Sequence, residues 1–193
     1  MNRNVLIIIV AVVTAVVGCE QKQTVGQTPV ERGKYLVTIA GCHDCHTPKF
    51  QGPGGVPALD EKHLLAGHLE NAPFPTWTPA DLQQRNALAL TTPALTAWGG
   101  PWGVSFGINL TPDKETGIGE WSEENFIQAM RTGKHQGQPN GRDILPPMPW
   151  ISFKAMTDDD LKAVWAYLRS IPAVKNQVPF PVPPGSAPLE SKP

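Results

Sequence analysis

Apolar residues are arranged in three ways along this 193-residue chain, and each predicts a different kind of structure. Near the start, Arg3 precedes an unbroken run from Val5 to Val17, interrupted only by Thr14. Three later segments carry apolar positions at helical spacing. In the first, Tyr35, Leu36 and Ile39 mark a short amphipathic helix over residues 31–40, ended by Gly41. In the second, a helix starts at Ser122, runs through Phe126, Ile127 and Met130, and stops at Gly133. The third has Thr157 as N-cap and Asp158, Asp159 and Asp160 in the first turn, where carboxylates suit the helix dipole. Leu161, Val164, Trp165 and Leu168 then form its apolar stripe, and Pro172 stops it. Between residues 49 and 106 the leucines are instead scattered among Gly, Pro and Trp, and Asp81–Leu90 is the one further stretch expected to be helical. The pattern predicts an all-α domain of three main helices joined by long loops.

The ends stand outside that domain. The run at Val5–Val17 is too short for a membrane span, which needs about 20 residues, but suits an export signal. Val16-Val17-Gly18-Cys19 resembles the bacterial lipobox, so residues 1–18 read as a lipoprotein-type signal peptide and Cys19 as the lipidated first residue of the mature chain. Acyl chains would then anchor the protein on the periplasmic side of a bacterial membrane. Residues 19–29 are polar and without period, a flexible tether. Residues 30–172 form the folded domain, with an insertion at about 49–106 expected mainly to enlarge the core. Residues 173–193 make a Pro-rich tail expected to wrap the surface or project from it.

Composition narrows the chemistry. Sixteen Lys and Arg against 17 Asp and Glu give a net charge of −1, which excludes the basic footprint of a nucleic-acid-binding protein. Three cysteines cannot make the even framework of a disulfide-stapled scaffold. Two of them lie in Cys42-His43-Asp44-Cys45-His46, the C-x-x-C-H pattern of covalent c-type haem attachment. Two thiols at this spacing reach two vinyl groups on one edge of a porphyrin, and the adjacent imidazole rises to the iron. Cys42 and Cys45 are the expected thioether residues of one haem c and His46 is its axial ligand. A structural zinc site would need a second ligand pair, and no second cysteine pair exists. His43, inside the motif, reads as a surface or packing residue.

Residues 31–47 and 107–172 resemble a class I c-type cytochrome, most closely the monohaem modules of bacterial dehydrogenase cytochrome subunits. The resemblance rests on Arg32-Gly33-Lys34-Tyr35-Leu36, Cys42–His46, Asn109-Leu110-Thr111-Pro112-Asp113 with Thr116-Gly117-Ile118-Gly119, Pro146-Pro147-Met148-Pro149-Trp150, and Ala166-Tyr167-Leu168. It implies a small cytochrome c fold whose first and last helices cross beside the haem, and Met148 as sixth ligand. The residues themselves favour Met148 as well. Flanking prolines restrict its backbone, and a weak thioether ligand gains from having few competing conformers. Met130 reads as core, Met156 as a staple at a helix entry, and His63, His68 and His135 as rival ligands. Trp98, Trp102, Trp121, Trp150 and Arg142 are candidate donors to the haem propionates.

His/Met ligation fills both axial positions, which points to a carrier of single electrons rather than to catalysis at iron. The expected partners are redox proteins: a dehydrogenase, a second cytochrome or an oxidase. Two alternatives are a haem subunit of a periplasmic dehydrogenase complex, and a haem enzyme or gas sensor with a labile sixth ligand.

Overall fold

The computed structural model describes residues 26–83 and 87–186. Cys19, the apolar run before it and most of the 19–29 segment lie outside the described residues, as do residues 187–193.

The three expected helices are present, each with its expected terminators. Helix α1 spans Pro29–Ile39, two residues earlier than its apolar spacing indicates, because Thr28 and Glu31 form a capping box and Pro29 occupies the first turn. The C-x-x-C-H motif follows as one helical turn, α2 (Cys42–His46), entered through Gly41 in the left-handed region at φ 67°. Helix α3 (Pro79–Leu82) is much shorter than the expected Asp81–Leu90. It ends at Gln83, and Leu90 is committed to a strand instead. Helix α4 spans Glu123–Thr132, capped by Ser122 and closed by Gly133 at φ 70°. A four-residue turn, α5 (Trp150–Phe153), precedes α6 (Asp158–Ser170), whose Thr157 side chain accepts from the Asp160 N–H. All four residues of the expected α6 stripe are buried.

Helices α1 and α6 pack directly on each other. Gly33 makes this possible: a Cβ there would lie 1.9 Å from the Ala163 carbonyl oxygen. The main core gathers Leu36 and Val37 of α1, Phe126, Ile127 and Met130 of α4, and Leu161, Val164 and Leu168 of α6, together with Leu65 and Ile118 from loops. The helices pack into the expected small domain around one core, but the domain is mixed, with two small sheets, rather than purely α-helical.

The loops are more ordered than a helical reading anticipates. Strands β1 (Lys49–Gln51) and β2 (Pro57–Leu59) form an antiparallel hairpin. Strands β3 (Leu90–Thr91), β4 (Ala97–Gly100) and β5 (Gly103–Phe106) form an antiparallel sheet, with Trp98 opposite Ser105. A second apolar cluster of Ala97, Val104, Phe106 and Val182 backs that sheet. Val182 belongs to the Pro-rich tail, and its N–H and C=O pair with those of Val104, each at 2.9 Å. From Val174 to Val182 the tail therefore wraps the domain and adds to its core. Within the described residues, no helix is long and apolar enough to cross a membrane.

Candidate functional site

One cavity runs through the middle of the domain, in two adjoining lobes. Cys45, His46, Trp98, Leu110, Phe126, Met130, Pro147 and Met148 line both. The larger lobe, of about 480 Å³, is also lined by Leu36, Cys42, Met156, Leu161, Val164 and Leu168. That volume lies within the range of about 300–1,000 Å³ of small-molecule and cofactor sites. The smaller lobe adds Trp121, His135 and Arg142.

The C-x-x-C-H turn opens onto this cavity because Gly41 enters it left-handed and Lys49 closes its far end. The Lys49 ammonium donates to the carbonyls of His43 and Asp44 at 2.8 Å and of Thr47 at 3.1 Å, satisfying acceptors that a single helical turn leaves free. Cys42 and Cys45 carry free thiols. Burial pushes the Cys42 thiol up to about 11, and burial raises Cys45 too, so both are protonated at neutral pH. His43 points elsewhere, with its Nδ1 2.8 Å from the Thr47 hydroxyl.

His46 is buried, and its Nδ1 lies 2.8 Å from the Ile108 carbonyl oxygen. A carbonyl only accepts, so Nδ1 carries the proton and donates, leaving the Nε2 lone pair available to a metal. Burial lowers the basicity of the ring, which favours this neutral form.

A dense polar network stands behind the imidazole. Gly67 N–H donates to the His46 carbonyl at 2.8 Å, Leu65 N–H to the Thr47 hydroxyl at 2.8 Å, and His68 N–H to the Gly107 carbonyl at 2.9 Å. Asn176, from the tail, donates to the carbonyls of Ala66 (2.7 Å) and His68 (2.9 Å) and accepts from Glu70 N–H (2.9 Å). Asn109, next to Ile108, donates to the Val174 carbonyl at 2.8 Å and accepts from the Thr111 N–H and hydroxyl.

Of the other candidates, Met130 lines both lobes but sits in the packed stripe of α4, and Met156 lines the larger lobe. His63 is bound to Asp60 at 2.6 Å. His68 is buried behind His46, its Nδ1 2.9 Å from the Thr96 hydroxyl and its ring 4.9 Å from that of Phe106. His135 reaches only the smaller lobe, edge-on to Trp121. Of the expected propionate donors, Trp150 lines neither lobe, and the Trp98 and Trp102 indole N–H groups already donate, to the Leu95 carbonyl (2.9 Å) and the Ser105 hydroxyl (3.3 Å); Trp121 and Arg142 line the smaller lobe, Arg142 with one long bond to the Asp143 carbonyl (3.4 Å). Ile108, Ser105 and Asn176 are structurally important residues that periodicity and motif do not single out, and Asn109 is marked only by the resemblance, with no role attached. Of these, Ile108 and Asn109 fall within the segments that carry the family resemblance, but Ile108 acts through its backbone carbonyl, which has no signature in a sequence at all.

The donor set suits a porphyrin. Two free thiols and one imidazole with a free Nε2 face an apolar slot that a thioether also enters. Among the described residues no three His, Cys, Asp or Glu side chains gather as an alternative metal site.

No family model matches the chain. Over 150 residues, 78% of its length, it is 42% identical to part of a nicotinate dehydrogenase subunit of Pseudomonas putida, covering 9% of that protein. It is 33% identical over 138 residues to the gluconate 2-dehydrogenase cytochrome c subunit of Pantoea cypripedii, covering 72% of this chain and 22% of that one. It is 27% identical over 158 residues to the fructose dehydrogenase cytochrome subunit of Gluconobacter japonicus, covering 79% of this chain and 24% of the relative. The chain thus spans between about a tenth and a quarter of the curated relatives it matches. It is a homologue of cytochrome c subunits of dehydrogenases.

Proposed function

We propose that this chain is a c-type cytochrome that carries single electrons as the haem subunit of a periplasmic dehydrogenase, anchored to a bacterial membrane through lipid on Cys19. The carrying observation is the convergence of Cys42, Cys45, His46 and Met148 on one apolar cavity. The relatives' names support the pairing with a dehydrogenase, a closer identification than the general respiratory carrier that the residues also allow.

In this reading Cys42 and Cys45 hold one haem c by thioether bonds, and His46 and Met148 ligate its iron. The haem supplies reversible one-electron chemistry when bound. Everything else is done by the chain. The Ile108 carbonyl fixes the imidazole tautomer and aims Nε2 into the slot. Met148 would supply the second ligand to the iron and so keep substrates from it, and His/Met ligation would raise the potential. Phe126, Leu110, Leu161, Val164 and Leu168 would exclude water from the ring, and Trp121 and Arg142 would be the donors available to its propionates.

The visible and near-infrared spectra of the haem-loaded protein test this reading. A ferric long-wavelength sulfur band is expected, with no carbon monoxide binding on reduction. Met148→Ala should lose the band and bind carbon monoxide, whereas Met130→Leu should keep the band. A native spectrum in Met148→Ala overturns the assignment. For the anchor, Cys19→Ser should release the protein from membranes, and unchanged membrane association defeats that part.

A further inference from the structure

We propose that Ser105, in the inserted sheet, is the positioning residue that holds Met148 at its ligand position. The inference rests on the reading of Met148 as sixth ligand and concerns what keeps it there.

The loop carrying Met148 is tied firmly at both ends. At its start, Ile144 N–H donates to the Gly133 carbonyl (2.7 Å) and His135 N–H to the Arg142 carbonyl (2.9 Å). Beyond its end, the Arg131 guanidinium donates to the Met156 carbonyl at 2.8 Å and also to the Lys154 carbonyl and the Asp158 carboxylate. Between these ties, residues 145–148 receive one hydrogen bond from outside the loop among the described residues. It is the Ser105 hydroxyl donating to the Pro146 carbonyl at 2.5 Å.

The chemistry of that hydroxyl makes the bond directional. A serine has one proton to give. Trp102 Nε1–H donates into the Ser105 oxygen at 3.3 Å, which leaves the proton for an acceptor. The rival acceptor, the Trp98 carbonyl, lies at 3.4 Å, far longer than Pro146. Ser105 is buried, with 7% of its surface exposed, so no bulk water competes. Its strand is fixed on both sides, by β4 and by the Val104–Val182 pairing. Alternation along the strand directs Val104 and Phe106 into the second apolar cluster and Ser105 toward the loop. The insertion therefore provides a rigid platform whose hydrogen bond to the ligand loop lies two residues before the thioether.

A thioether is a weak ligand, so the population of the loop in its bound position decides how easily another ligand displaces it. Imidazole is the probe. It replaces the sulfur on ferric iron, and its apparent affinity rises as the loop opens. With the haem-loaded full chain, Ser105→Ala should bind imidazole about tenfold more tightly than the wild type, the effect of losing one buried hydrogen bond. Ser105→Thr, which keeps the hydroxyl, should stay within about twofold. Trp102→Phe, which keeps an aromatic ring but removes the indole N–H that orients the hydroxyl, should tighten binding about threefold and serves if Ser105→Ala does not fold. Asn176→Ala, on the opposite side, should leave imidazole affinity unchanged. If Ser105→Ala binds imidazole as the wild type does, or if Asn176→Ala tightens binding equally, the proposal is wrong. If instead the wild type lacks the sulfur band, the Met148 reading itself falls, a distinguishable failure.

Discussion

The two sides of the cavity are built on opposite plans. Behind His46, carbonyls and N–H groups from residues 64–70, 107–111 and 174–176 are cross-bonded by the buried side chains of Thr47, Asn109, Thr111 and Asn176. Opposite, Met148 sits among Pro146, Pro147 and Pro149 with sparse hydrogen bonding, and Ser105 is the cross-element donor to its loop among the described residues. The proposed histidine ligand is over-determined and the proposed thioether ligand lightly held. A histidine ligand anchored in a network survives the loss of any one bond, whereas a thioether on a sparse loop responds to a single hydroxyl. Substitutions behind His46 should therefore cost stability and leave the sulfur band alone, and those near Met148 should do the reverse.

The most severe test is Gly107→Ala. A Cβ there would stand 2.0 Å from the Cys45 carbonyl oxygen, so the attachment turn itself must shift. The expected cost is about 3 kcal/mol or more, with at least about tenfold less haem-loaded protein recovered. A normal yield would show that the His46 side has more slack than its packing indicates.

Next comes acid. Burial lowers His68 from 6.5 to about 4 in the fold, and its Nε2 has no hydrogen-bond partner there. An unfolded His68 takes up a proton near pH 6.5 while the folded one stays neutral, so the unfolded state binds more protons. Stability must then fall as pH drops from about 6.5 to about 4, by about 3 kcal/mol, and level off below. Urea midpoints at pH 7 and pH 4.5 measure this, and His68→Gln should flatten the difference. An equal slope in that variant would remove His68 as its source.

Asn176→Ala should be somewhat milder. It strands the Ala66 and His68 carbonyls and the Glu70 N–H, costing about 2 kcal/mol. For a chain of this size that lowers Tm by about 4–8 °C, with the sulfur band intact. Loss of the band would erase the distinction between the two sides. The smallest effect belongs to Arg32, whose 2.9 Å pair with Asp160 is 42% exposed at the arginine. Arg32→Ala should cost less than about 1 kcal/mol in thermal unfolding, and still less in salt.

The same contrast governs what the sequence discloses. Helices α4 and α6 are legible because caps, stripes and stops agree in Ser122, Gly133, Thr157 and Pro172. The C-x-x-C-H turn stands out because its spacing is chemically constrained, and prolines mark the Met148 segment that shares its cavity. The sheet is not, since strands of two to four residues containing Gly99, Gly100 and Gly103 show no alternation long enough to read. Nor is the docking of the tail, whose proline-rich composition conceals that Asn176 and Val182 are buried. The Ile108 carbonyl and the Ser105 hydroxyl act through position alone, and position emerges only once the loops are folded.

The contacts of Asn176 also set an order of events during biogenesis. Its bond to the Ala66 carbonyl spans 110 residues, and its partner Asn109 reaches 65 residues forward to Val174. Contacts this distant in sequence form late, because long loops must close before they contribute. As the polypeptide emerges N-terminal end first, the attachment turn is exposed well before the tail exists to seal it. Cys42 and Cys45 thus stay reachable on an unsealed chain until the tail arrives.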